Sequence, residues 1–246
     1  MNRFLSAIVT SAALLGASIA SAGTVLVSGS PLSSFAVDGS SKTAFRGILE
    51  ADNTLVFAAD MSDAAQVASA DALYVETRGT TSQLSAAELA NIAAFISTGK
   101  RVYLGGENTS WTTWNNSILS LVGSSAGASV TGFQTTTLMH PLTAGVAQVN
   151  VPAGSGPATG GTSLFSGNFA NLWGADQNVL TLQDTNMFQN AFIGEQDNTQ
   201  FARNVSAWLA DGDVTTAPVP VPAALPFLLT GLAGLGLMAR RRKMSA

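Results

Sequence analysis

Ser85-Ala86-Ala87-Glu88-Leu89-Ala90-Asn91-Ile92-Ala93-Ala94-Phe95-Ile96-Ser97-Thr98-Gly99-Lys100-Arg101-Val102-Tyr103-Leu104-Gly105 decides the fold class of this chain. Ser85 and Glu88 have the spacing of a capping box: the hydroxyl takes the N–H of the third helical residue, and the carboxylate reaches back to the cap N–H. Leu89, Ile92, Ala93 and Ile96 then recur at helical spacing and predict one buried stripe. Gly99 suits a left-handed C-terminal cap. The apolar run 101–105 that follows is too short for a helix and reads as a buried strand.

The same rhythm extends outward. Thr24-Val25-Leu26-Val27 reads as a strand that ends at the turn Ser28-Gly29-Ser30-Pro31. Residues 40–51 read as a helix with Ala44, Phe45, Ile48 and Leu49 on one face, and 54–58 as a second strand. Residues 63–70 form a short helix and 72–76 a third strand. Beyond residue 105, a helix is expected over 111–122, a strand over 146–151, a loop over 154–161, strands over 179–182 and 187–193, and a final helix over 198–210. That last helix should bury Phe201, Val205, Trp208 and Leu209, with Asp197 or Asn198 as its N-cap. Residues 123–170 are rich in Gly, Ser, Thr and Ala and give no clear period. Strand and helix alternating in this way predict an α/β fold, a three-layer sandwich around a mostly parallel sheet.

The two ends read differently from this body. Asn2 and Arg3, the apolar residues 4–19 and the small-x-small site Ala20-Ser21-Ala22 have the pattern of a cleaved signal peptide over 1–22. The α/β domain then spans 23–210, and 211–218 is a linker. Residues 223–239 carry no charge, and their 17 positions sit at the short limit of a membrane-spanning helix. Arg240, Arg241, Arg242 and Lys243 supply a basic cytoplasmic flank.

The chain carries 11 cations and 15 carboxylates, and it has no cysteine. Disulfides, thiolate metal sites and a cysteine nucleophile are excluded together. Five of the cations lie in the two ends, so the body between 23 and 217 holds six against all fifteen carboxylates, a net charge of −9. Nucleic acid is a poor partner for such a surface.

No catalytic set, metal site or cofactor is expected. Gly123-Ser124-Ser125-Ala126-Gly127 matches the G-x-S-x-G nucleophile elbow, but that device needs a strand before Ser125 and a helix after it. Here a helix is expected before it, and the lone histidine, His140, follows too soon. Glu107 stands just past a strand, where open α/β sheets place their ligands. With Asn108, Asp184, Glu195 and His140 it makes a candidate crevice for a cation or a polyol, in a domain that binds a glycan or a partner. Trp111, Trp114 and Trp173 are candidate stacking surfaces, while burial is the commoner use of such residues. The alternative is a carbohydrate-active hydrolase or lyase with Glu107, His140 and Asp184 as acid–base groups, which requires those three side chains to meet.

Two resemblances go with these residues. Val219-Pro220-Val221-Pro222-Ala223, the apolar stretch and the cluster Arg240-Arg241-Arg242 together resemble a PEP-CTERM sorting signal over about residues 219–243, although Val221 stands where that family carries an acidic residue. The resemblance implies Sec export, signal peptidase, a transient stay in the inner membrane of a Gram-negative bacterium and processing by an exosortase. The cell surface or extracellular matrix is then the destination. In the body, Leu84-Ser85-Ala86-Ala87-Glu88-Leu89, Gly105-Gly106-Glu107-Asn108, His140-Pro141-Leu142-Thr143-Ala144-Gly145-Val146 and Asp197-Asn198 opening the last helix resemble the flavodoxin-like class I glutamine-amidotransferase-like, or ThuA-like, group. Its amidotransferases use a cysteine that this chain does not have, so the resemblance implies the scaffold without that activity.

Overall fold

The computed structural model describes residues 22–28 and 36–211. The expected signal sequence up to residue 21, the turn after Ser28, most of the linker and the whole of 219–243 lie outside the described residues. Among the described residues no helix is long and apolar enough to cross a membrane.

A seven-stranded sheet runs through the molecule. In chain order its strands are β1 (Gly23–Ser28), β2 (Asn53–Ala58), β3 (Ala72–Val75), β4 (Arg101–Gly105), β7 (Thr162–Ser163), β8 (Ala170–Trp173) and β9 (Val179–Leu182). They lie in the order β2-β1-β3-β4-β9-β8-β7. The first five in that order are mutually parallel, and β8 and β7 close the far edge antiparallel. The fold is α/β and flavodoxin-like. Strand order reverses between β1 and β3, the kind of switch point at whose carboxyl end ligands bind.

Helices α1 (Thr43–Asp52) and α5 (Asn198–Ala210) cover one face of the sheet; α2 (Ala64–Ser69), α3 (Ala86–Ile96) and α4 (Thr112–Ser120) cover the other. Each face has its own core. Val25, Val27, Tyr74, Tyr103, Leu180 and Leu182 meet Phe45, Phe201 and Trp208 on the first. Leu26, Leu73, Val102 and Leu104 meet Ile92, Phe95, Trp114 and Ile118 on the second. Within each strand, successive residues thus go to opposite layers, as the pleat requires.

The capping box forms as expected: Glu88 N donates to Ser85 Oγ at 3.3 Å and Ser85 N donates to Glu88 Oε2 at 2.9 Å. The buried face of α3 is rotated from the expected one. Glu88, Ile92 and Phe95 are buried, while Leu89 and Ile96 are half-buried and Ala93 is exposed. Glu88 is drawn inward because its Oε1 also pairs with Arg78 and accepts Met61 N at 3.2 Å. Burial alone would raise the Glu88 carboxyl, but Arg78 and the Ser85 and Met61 backbones outweigh it and hold it below the usual range.

The middle of the chain differs most from expectation. A second, two-stranded antiparallel sheet joins β5 (Ala126–Thr135) to β6 (Gln148–Pro157). The expected strand at 146–151 is only the start of β6, and the first four residues of the expected loop 154–161 are its end. Strand β8 carried no legible signal. Residues 187–193 are not a strand: a 3-10 turn covers Thr185–Phe188, and further turns follow. Close backbone approach explains much of this. A Cβ on Gly154 would stand 2.9 Å from the Gln183 carbonyl oxygen, and one on Gly156 would overlap the Asn168 carbonyl oxygen. Apolar periodicity cannot mark strands that lie this close to neighbouring backbone.

Candidate functional site

Beyond the carboxyl ends of β3, β4 and β9, three neighbouring strands set a carboxyl on the same face of the sheet. Glu76 follows β3 directly; Glu107 and Asp184 stand two residues past β4 and β9. Gly105 pairs with Leu182 across β4 and β9, so Glu107 and Asp184 come out side by side. All three residues are buried, at 0%, 2% and 0% exposure.

Among the described residues a single cation enters this cluster. Lys42, in a 3-10 turn before α1, is fully buried, and its Nζ lies 3.0 Å from Glu76 Oε1 and also donates to Thr185 Oγ1. Glu76 further accepts Val37 N at 3.0 Å and Thr77 N at 3.1 Å. A buried ion pair is tolerated when its remaining lone pairs find donors in this way.

Glu107 is held by asparagines. Its Oε2 accepts the N–H of Asn108 at 2.7 Å and Asn108 Nδ2 at 2.6 Å, and its Oε1 accepts Asn186 Nδ2. Asn115 closes the turn behind it, accepting Glu107 N at 3.0 Å and donating to Glu107 O at 2.7 Å. Burial pushes the Glu107 carboxyl up to about 8 against the Asn108 hydrogen bond, with the charge of Asp184 adding to the rise. Burial likewise pushes Asp184 up to about 6, although the Ala153, Asn186 and Met187 backbones oppose it. Asp184 also caps the following 3-10 turn through Asn186 N at 2.9 Å and steadies β6 through Ala153 N at 3.2 Å.

A cavity of about 120 Å³ opens over this group, lined by Glu107, Asn108, Trp111, Thr185 and Asn186. Ribbon β5–β6 runs past the ends of β4 and β9: Ser155 N donates to Gln183 O at 2.9 Å, and Ser155 Oγ to Glu107 O at 2.6 Å.

Of the residues singled out in the sequence, Glu107, Asn108 and Asp184 come together here. His140 does not. It caps a 3-10 turn (Pro141–Thr143) through Leu142 N, 3.2 Å from its Nδ1. Burial holds its imidazole low, and the charge it feels is that of Arg101, at the opposite end of β4 from Glu107. The required meeting of Glu107, His140 and Asp184 therefore does not occur. Glu195 is exposed and pairs with Asn150 Nδ2 at the start of β6, away from the cavity lining. Asp197 is the N-cap residue of α5 as expected, but its carboxylate accepts Ala147 N and Gln148 N instead of a helix N–H, and buried Asn198 ties α5 to Asn150. Ser125 lies between the turn that ends α4 and strand β5, the reverse of an elbow. Trp114 is fully buried, with its indole N–H on Gly105 O at 2.7 Å, and Trp173 is 9% exposed. Trp111 alone of the candidate tryptophans lines the cavity.

Sequence reading missed Lys42, Glu76, Thr185 and Asn186. Glu76 closes an apolar strand run and Thr185-Asn186 follows Asp184, so strand ends were the available signal. Lys42 in a polar helix start gave none.

No family model matches the chain, and no curated protein matches it. Solved structures do. The N-terminal domain of mmIFT52 has a TM-score of 0.63 at 14% identity, covering 78% of this chain and 99% of its own. A GMP synthase protein from Thermoplasma acidophilum has a TM-score of 0.52 at 11% identity, covering 78% of this chain and 96% of that one. A ThuA-like protein from Parabacteroides merdae has 0.50 at 8% identity, covering 80% and 92%. This chain is similar to all three in fold, and identities this low carry no activity across.

Proposed function

We propose that this domain is an exported surface or matrix protein that binds a carbohydrate in the crevice beyond β3, β4 and β9. The cavity lined by Glu107, Asn108, Trp111, Thr185 and Asn186 carries this reading. Carbohydrate sites combine an aromatic face with amide and carboxyl groups that satisfy hydroxyls, and this lining offers both. Its polar groups sit on strand ends and a capped turn, a rigid setting suited to recognition. Isothermal titration against soluble sugars tests it. Trp111→Ala, at the half-buried rim, should weaken binding about tenfold or more with the melting temperature nearly unchanged. Unaltered affinity in that variant would move the site elsewhere.

The second reading, with His140 removed from it, is acid–base chemistry on a glycan by Glu107 and Asp184 alone. It is favoured by the adjacency of Glu107 and Asp184, whose carboxyls are raised to about 8 and about 6, because a proton donor and acceptor at neutral pH need such values. Turnover of a bound sugar that is lost in Glu107→Gln would establish it over simple binding.

The export part rests on the sequence at both ends. Val219-Pro220-Val221-Pro222-Ala223, the uncharged stretch and Arg240-Arg241-Arg242 support sorting by an exosortase-type enzyme. Mass spectrometry of the protein recovered from cell envelope and culture medium should show chains that begin near Gly23 and lack residues 223–246. An intact C-terminus in the final product would argue for a plain membrane anchor.

A further inference from the structure

Charge in the crevice does not balance. Glu76, Glu107 and Asp184 are three buried carboxyls, and Lys42 is the one cation hydrogen-bonded among them. Lys42 is committed to Glu76 and Thr185. That leaves Glu107 and Asp184 on neighbouring strand ends with Lys42 acting on them only through space, and the charge of Asp184 disfavours ionisation of Glu107.

The surroundings of Glu107 make conflicting demands. Every hydrogen bond its carboxyl makes is one it accepts: Asn108 N, Asn108 Nδ2 and Asn186 Nδ2 all donate to it. Such a shell is built for a carboxylate. A protonated Glu107 would carry an O–H that these three donors cannot accept in the orientations they hold: Asn108 Oδ1 is filled by Ser110 N and Ser110 Oγ, and Asn186 Oδ1 is turned to Gln189 Nε2. Burial demands the neutral form, which the rise to about 8 expresses. A carboxylate has about four acceptor positions, and three are filled. The open one is on Oε1, and Glu107 borders the cavity.

A further observation lies in the floor. The phenols of Tyr74 and Tyr103 stack beneath the same cluster, and burial, with the charge of Glu76 and, for Tyr103, of Asp184 adding to it, pushes both hydroxyls up and keeps them neutral. The floor thus brings no positive charge to the cluster, and the open acceptor position stays with Glu107.

We propose that the crevice selects a carbohydrate bearing a protonated amine, an amino sugar over its neutral or N-acetylated counterpart, with the ammonium on Glu107 Oε1 at the cavity. This rests on the carbohydrate-binding reading and gives its ligand class. The ammonium supplies the missing positive charge, fills the open acceptor position and lets Glu107 ionise, so the proton on Glu107 leaves as the ligand arrives. Trp111 at the rim takes the apolar face of the ring, and Asn108 and Asn186 stay on the carboxylate.

Titration calorimetry of the purified protein with glucosamine, N-acetylglucosamine and glucose tests this. At about pH 7, glucosamine should bind at least about tenfold more tightly than the other two. Its apparent enthalpy should change with the ionisation enthalpy of the buffer in the sense of about one proton released. Glu107→Gln should abolish the glucosamine preference, bringing the three affinities within about threefold of one another. Equal binding of all three sugars by the unaltered protein, or no proton release with glucosamine, would overturn the amine preference and leave carbohydrate binding standing. Binding of none of them would overturn both. The proton measurement needs no variant, so a poorly folded Glu107→Gln protein does not remove the test.

Discussion

At the scale of single residues, Glu107 and Lys42 set the energetics of the crevice. Burial raises the Glu107 carboxyl from 4.5 to about 8, so between those values the folded chain holds a proton that the unfolded chain has lost. Stability must then fall as pH rises through that interval, and flatten above it. Urea denaturation across pH 5 to 8 should show this decline, and Glu107→Gln should remove most of it. Lys42→Met strands Glu76 as a buried charge without its partner. Such a change should cost about 3–5 kcal/mol, and the double change with Glu76→Gln should recover a large part of it. A Lys42→Met protein as stable as the parent would show the pair to be dispensable. Glu107 and Asp184 were legible because each follows a strand. Their neighbour Lys42 was not, because nothing local tells a lysine that will be buried 34 residues away from its carboxylate from one that stays in solvent.

Among the elements, those whose signals are local were readable. Helix α3 announces itself through Ser85 and Glu88, and Ser85→Ala should lower stability by about 1 kcal/mol in denaturant titration. Loss of the Glu88 side chain should cost more, because it also holds Arg78 and Met61. The parallel strands β1 to β4 and β9 were readable as short apolar runs, all but the edge strand β2 buried on both faces. Ribbon β5–β6 was not. Strand β5 is largely solvent-facing, and its pairing with β6 is interrupted by two register shifts. Its partner carries glycine where neighbouring backbone crosses it. The segment 187–193 misled for the opposite reason. Met187, Phe188 and Ile193 are apolar and buried, but they fill the core from turns rather than from a strand.

For the whole molecule, one sheet separates two apolar layers that share its strands. Val25 and Leu26, or Leu180 and Val179, send alternate side chains to opposite cores, so neither layer can melt while the other keeps its sheet. Trp208 reports on one layer and Trp114 on the other. Single-tryptophan variants at these two positions should give coincident unfolding curves, matching far-UV circular dichroism. Separate midpoints would mean that the layers fold independently. The same architecture bears on how this protein can change through descent. The crevice rim is built from side chains, Asn108, Trp111 and Asn186, whereas the adjoining ribbon depends on the lack of them at Gly154 and Gly156. Substitution is therefore more open at Trp111 on the rim than at those two glycines of the ribbon. Variation among descendants should redraw what the crevice accepts long before it redraws the crevice, and a saturation library should find its forbidden positions at glycines that touch no ligand at all.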